Sequence, residues 1–154
     1  MKKLILVAQL VGAASASYGA DALGLLDGVN KSLGALSRIR TEVVASSVHQ
    51  DSENPFPTTV KFVGNRYDSQ IETKMEDIED ALISAGNKLS DAAQLIPKHE
   101  GYNLFFSACG EIIGTNIKVE RTISYAGKSK LFAPQEFTEL LTELEAALDD
   151  AACR

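Results

Sequence analysis

Apolar side chains recur along this chain at the period of an α-helix. The clearest run is Ile71, Met75, Ile78, Leu82, Ala85, Leu89, Ala92 and Ile96, with steps alternating between four and three residues. A strand alternates every second residue, so only a helix puts these side chains on one face. Asn65, with Asp68 three residues on, reads as an N-cap with an acidic partner and starts this helix near Arg66. Pro97 stops it, because proline lacks the N–H and its ring clashes with the preceding turn.

Three further stretches carry the same period. In residues 21–49, Leu26, Val29, Leu33, Leu36 and Val43 form a stripe with Arg40 filling its gap. This helix gives way to a polar loop that holds Pro55 and Pro57. Val60 to Val63 reads as a short helical turn or an extended lead-in. In residues 101–127, Phe105, Cys109, Ile112, Asn116, Val119 and Ile123 form one line, and Tyr102, Phe106, Ile113 and Ile117 form a second beside it. That width predicts the most enclosed of the helices. The last helix opens at Pro134, a favoured first position, with Phe137, Leu141, Leu144, Leu148 and Ala151 inward. The links are short apart from the first, and short links make helical neighbours antiparallel, so the expected fold is all-α, an up-down-up-down four-helix bundle.

The start of the chain has a different pattern. Met1, Lys2 and Lys3 precede an apolar run over residues 4–14, followed by Ser15, Ala16 and Ser17. A positive start, a short apolar core and a small-residue end make the layout of a secretory signal peptide. Residues 1–16 are the expected leader, with cleavage as late as residue 19 as the alternative, and 17–154 the expected single domain. The run is too short to span a bilayer, and residues 102–126 carry Glu111, Lys118, Glu120 and Arg121, so no transmembrane segment is expected. The destination is extracellular or the cell wall, or the periplasm in a bacterium.

Export changes the reading of the cysteines. The chain has two, Cys109 and Cys153. In an oxidising compartment an even count suggests a bridge. If the last two helices fold back about a turn near residue 130, the partner of position 109 lies near 151, two residues from Cys153. Charge then narrows the partners. The net charge is −6, and loss of Lys2 and Lys3 with the leader takes it to about −8. An acidic surface repels phosphate backbones, so nucleic acid is not an expected partner. Asn30-Lys31-Ser32 is a glycosylation sequon, relevant in a eukaryotic source.

The chemistry of common helical bundles is missing. Di-iron sites need Glu-x-x-His twice, but the two histidines, His49 and His99, follow Ser46 and Ile96 at that spacing. Cys-x-x-Cys-His, Gly-x-Ser-x-Gly, a phosphate-binding glycine loop and His-Glu-x-x-His are all absent. His49, Asp51 and Glu53 read as a solvated loop rather than a preorganised metal site. Glu76, Asp77, Glu79 and Asp80 read as the solvated face of their helix. No catalytic residue, metal or cofactor is therefore expected.

What interrupts the core pattern points to binding. Gly24, Gly28, Gly34, Gly86, Gly110 and Gly114 lie within helices, where each costs up to about 1 kcal/mol relative to alanine. They allow either close helix contact or an apolar cavity between helices. Arg40 and Asn116 fall on inner lines. An inner Asn commonly fixes register, and an Arg near a helix end commonly reaches to water. Together they instead define a candidate ligand site, anchoring the carboxylate of a fatty acid whose tail lies among Leu82, Phe105, Phe106 and Ile113. A bound anion would offset the cost of burying the arginine.

A leader, then Leu26-x-x-Val29-Asn30-x-Ser32-x-x-x-Leu36, then amphipathic helices rich in Ala, Leu and Asp, resembles the fungal cell-wall galactomannoprotein or hydrophobic-surface-binding family. That resemblance implies a secreted helical bundle that binds lipids or apolar surfaces. Plant-type invertase and pectin-methylesterase inhibitors have a similar bundle and act by blocking an enzyme. Two functions thus stand side by side. One is a secreted, non-catalytic carrier of a small apolar molecule or lipid. The other is a secreted protein-interaction module, such as an effector, inhibitor or surface antigen, with no small ligand.

Overall fold

The computed structural model describes residues 2–51, 66–129, 132–151 and 153, with side chains described in the first helix from Tyr18 to Glu42. Four helices follow in order: α1 (Lys2–Asp51), α2 (Arg66–Leu95), α3 (His99–Ala126) and α4 (Pro134–Asp150). The predicted start and stop of α2 and the predicted start of α4 agree with these bounds. α1 instead begins far ahead of residue 21, continuing through the segment read as a leader. That segment is rich in Leu and Ala and has no proline before Pro55, so nothing in its local chemistry breaks a helix. Asn65, Val60 to Val63 and the His49, Asp51 and Glu53 cluster lie outside the described side chains.

The helices pack as a closed ring, α1 on α2, α2 on α3, α3 on α4 and α4 on α1. Contacts fix the directions. Arg40 reaches Glu79, while a Cβ on Gly86 would meet Val29 at 3.6 Å, so α1 and α2 run antiparallel. Lys88 pairs with Glu111, and Tyr67 faces Tyr125, which reverses α3 against α2. Gly28 faces Ala147 and Arg38 pairs with Glu143 at 3.5 Å, which reverses α4 against α1. This is the up-down-up-down bundle that the apolar spacing predicted.

The α2 stripe is buried from Ile71 to Ala92 at every predicted position. In α4 the buried line is Phe137, Leu140, Leu144, Ala147 and Leu148, with Leu141 half-buried beside it. Among the described side chains of α1 the buried residues are Ala22, Leu25, Gly28, Val29, Ser32, Ala35, Leu36 and Ile39, so the face is rotated from the predicted one, and Leu26 and Leu33 lie at its border, while Val43 lies outside the described side chains. Packing against both α2 and α4 sets this rotation. Ser32 tolerates burial because its hydroxyl donates to the Gly28 carbonyl at 2.9 Å.

Links at both ends are built by specific contacts. A Cβ on Gly101 would stand 2.6 Å from the Ile96 nitrogen, so only glycine lets α3 start this close to the end of α2. At the other end Asp68 is fully buried and accepts a hydrogen bond from the Ser129 hydroxyl. Ser129 Oγ in turn accepts from the Phe132 N–H at 2.8 Å. Asp68 thus ties the α3–α4 link to the first turn of α2. Cys109 and Cys153 are bonded, with Cα atoms 5.7 Å apart, and join α3 to the chain just beyond α4.

Candidate binding surface

The six residues expected to form one ligand site do not meet in one place. Leu82 and Phe105 are fully buried in the core. Phe106 and Ile113 point outward. Asn116 is half-buried, and its side-chain oxygen is buried without a hydrogen-bond partner among the described residues. Arg40 is half-buried between α1 and α2, where it pairs with Glu79 and lies 3.9 Å from Glu76. The protein's own carboxylates therefore occupy the position expected for a ligand's carboxylate.

The second apolar line of α3 is where the structure departs most from the sequence pattern. The core takes Phe105, Ala108, Cys109, Ile112, Thr115, Val119 and Thr122 from this helix. The two threonines are accommodated because each hydroxyl donates to a carbonyl one turn back, Glu111 at 2.8 Å and Lys118 at 2.7 Å. The inward face is centred on Ala108, Ile112 and Thr115, and the line beginning at Phe106 is left on the opposite side. Periodicity identified two apolar lines but not which of them a neighbouring helix would cover.

The result is an outward apolar row along α3. Phe106 is 50 % exposed, Ile113 42 % and Ile117 45 %. Gly110 and Gly114 lie between them, and a Cβ on either would meet nothing within 4 Å. The steps from 106 to 110, 113 and 117 are four, three and four residues, so these positions share one face. Aromatic contacts fix the Phe106 end. Its ring stacks edge-on with Phe105 at 5.4 Å and with Tyr18 at 5.9 Å, and Tyr18 also touches Tyr102 at 5.6 Å. This holds Phe106 in place while leaving half of it open to water.

The glycines separate into two kinds. Gly28 and Gly101 are required by internal contact, since added Cβ atoms would stand 2.2 and 2.6 Å from their neighbours. Gly110 and Gly114 relieve no internal crowding. Among the described residues, no helix is long and apolar enough to cross a membrane, and no three His, Cys, Asp or Glu side chains gather as metal ligands. No protein-family model matches the chain, and neither a curated protein nor a solved structure matches it.

Proposed function

We propose that this chain is an exported, non-catalytic interaction module that binds a protein partner through the outward face of α3. The observation that carries the reading is the row Phe106, Ile113 and Ile117 on one side of one helix. Isolated exposed apolar residues need no explanation, but several aligned on one face characterise contact surfaces. Anchors one, two and three turns apart are how a helix presents itself to a groove or to another helix. Gly110 and Gly114 keep the middle of the row low, so a partner backbone can approach closely there. The apolar leader-like start and the Cys109–Cys153 bond support an oxidising, exported setting.

The row favours a protein over a small apolar molecule because it is convex and open. Such a surface removes little area from water around a single acyl chain. A helix or groove on a protein can cover the whole row at once. The test is photo-crosslinking from position 113 in the native source, with position 83 of α2 as the exposed control. We expect one partner to crosslink from 113 and not from 83. Reconstituted with purified components, that binding should be lost in Ile117→Asp. Crosslinks that do not depend on the row, or saturable fatty-acid uptake that survives Ile117→Asp, overturn the proposal.

A further inference from the structure

A second surface has the opposite character. Between α2 and α3, on the half of the bundle near the α3–α4 link, lies a groove of about 210 Å³ lined by Lys74, Asp77, Lys118 and Arg121. It holds three cations and one acid, although the chain has 21 acidic residues against 15 basic ones. Several cations elsewhere find acids: Lys31 pairs with Asp27, Arg38 with Glu143, Arg40 with Glu79 and Lys88 with Glu111. Among the described residues neither Lys118 nor Arg121 forms an ion pair. In a chain with acids in excess, three cations to one acid across one groove are the reverse of what composition favours.

Aromatic rings and two further cations, Arg66 and Lys128, stand beside the groove. The Lys74 ammonium lies 4.9 Å from the centre of the Tyr125 ring. Tyr125 faces Tyr67 at 6.3 Å, and the Arg66 guanidinium and the Lys128 ammonium lie over the Tyr67 ring at 4.9 and 5.7 Å. Arg66 also donates to the Tyr67 hydroxyl at 2.9 Å and holds that phenol below its ordinary pKa. The positions are set by the antiparallel register: Lys74 and Asp77 are one turn apart on α2, facing Arg121 and Lys118 one turn apart on α3. Folding therefore brings together pairs of charges more than forty positions apart in sequence.

We infer that this groove is a binding site for a doubly charged oxyanion, phosphate or sulfate, either free or at the end of a larger ligand. Three cations less the Asp77 charge leave two positive charges, which a dianion matches. Arg121 offers the planar fork that suits two oxygens of such a group, and the two lysines supply point charges from either wall. The groove is several times the roughly 30 Å³ share of one water, so an anion enters with part of its hydration shell. The inference rests on these charges alone and stands whether or not the α3 row binds a protein.

The experiment follows amide and side-chain NMR shifts of the full chain, titrated with inorganic phosphate and with glycerol 3-phosphate, against chloride at matched ionic strength. We expect saturable shifts at 74–77 and 118–121. Saturation by either probe supports the site, and the tighter of the two identifies the source. Lys118→Gln and Arg121→Gln should each weaken binding about tenfold, as expected for loss of one charge-assisted contact. Lys31→Gln, on α1, should leave it unchanged. Asp77→Asn should tighten binding, since it removes the one opposing charge, and a purely structural role for these residues would not produce that gain. Shifts that are linear, equal to those with chloride, insensitive to both charge variants, or weakened by Asp77→Asn overturn the site.

Discussion

Gly28 of α1 lies against Ala147 of α4 so closely that a Cβ on Gly28 would stand 2.2 Å from the Ala147 Cβ. No side chain can be added there without separating the helices. Gly28→Ala should therefore destabilise the bundle by about 1–2 kcal/mol, the cost of overpacking less the gain in helix propensity. Ala147→Gly in the same chain should recover part of the loss. Gly110→Ala, whose added methyl meets nothing, should instead stabilise by up to about 1 kcal/mol. Denaturant unfolding of the variants distinguishes the two kinds of glycine.

The Cys109–Cys153 bond spans a sequence separation of 44 and fastens the segment beyond α4 to the middle of α3. α4 is otherwise held by Phe137, Leu140, Leu144 and Leu148. Cys153→Ser should cost about 2–4 kcal/mol, mainly by freeing the unfolded chain, and should leave a folded bundle. Hydrogen exchange should rise first at the C-terminal turns of α4. Equal melting of the wild type with and without reductant would show that the bond does not contribute to stability.

Glu136 carries a pH dependence in the acid range. Burial, and then the neighbouring Glu42, hold its carboxyl above the ordinary range. The folded state thus binds this proton more tightly than the unfolded chain does. The associated stability is fully present below the unfolded value of about 4.3 and is lost as pH rises through the raised folded value. Glu136→Gln should raise the melting temperature at neutral pH, leave it nearly unchanged in acid, and flatten the pH profile in between.

Adjacent isoleucines on α3 should respond in opposite ways. Ile112 is fully buried, whereas Ile113 is open to water. Ile112→Ser should cost several kcal/mol, through lost burial and a buried hydroxyl. Ile113→Ser should change stability by no more than about 0.5 kcal/mol. Thermal melts of the two variants measure the contrast and confirm that row variants used in binding experiments remain folded.

The sequence by itself determined four helices, both ends of α2 and the start of α4, the buried stripe from Ile71 to Ala92 and, with the antiparallel register, the pairing of Cys109 with Cys153. Each follows from local chemistry: the 3.6-residue period, proline's missing N–H, and the counting of turns along antiparallel helices. The true inward face of α1, the rejection of Phe106 and Ile113 from the core, the capture of Arg40 by Glu79 and the burial of Asp68 against Ser129 were decided only by the tertiary structure. Spacing says which residues share a face of one helix. How each helix is rotated depends on its two neighbours in the ring, and an apolar line becomes core only where another helix covers it. The same holds for charge, since the groove of Lys74, Lys118 and Arg121 exists only once α2 and α3 lie side by side in this register.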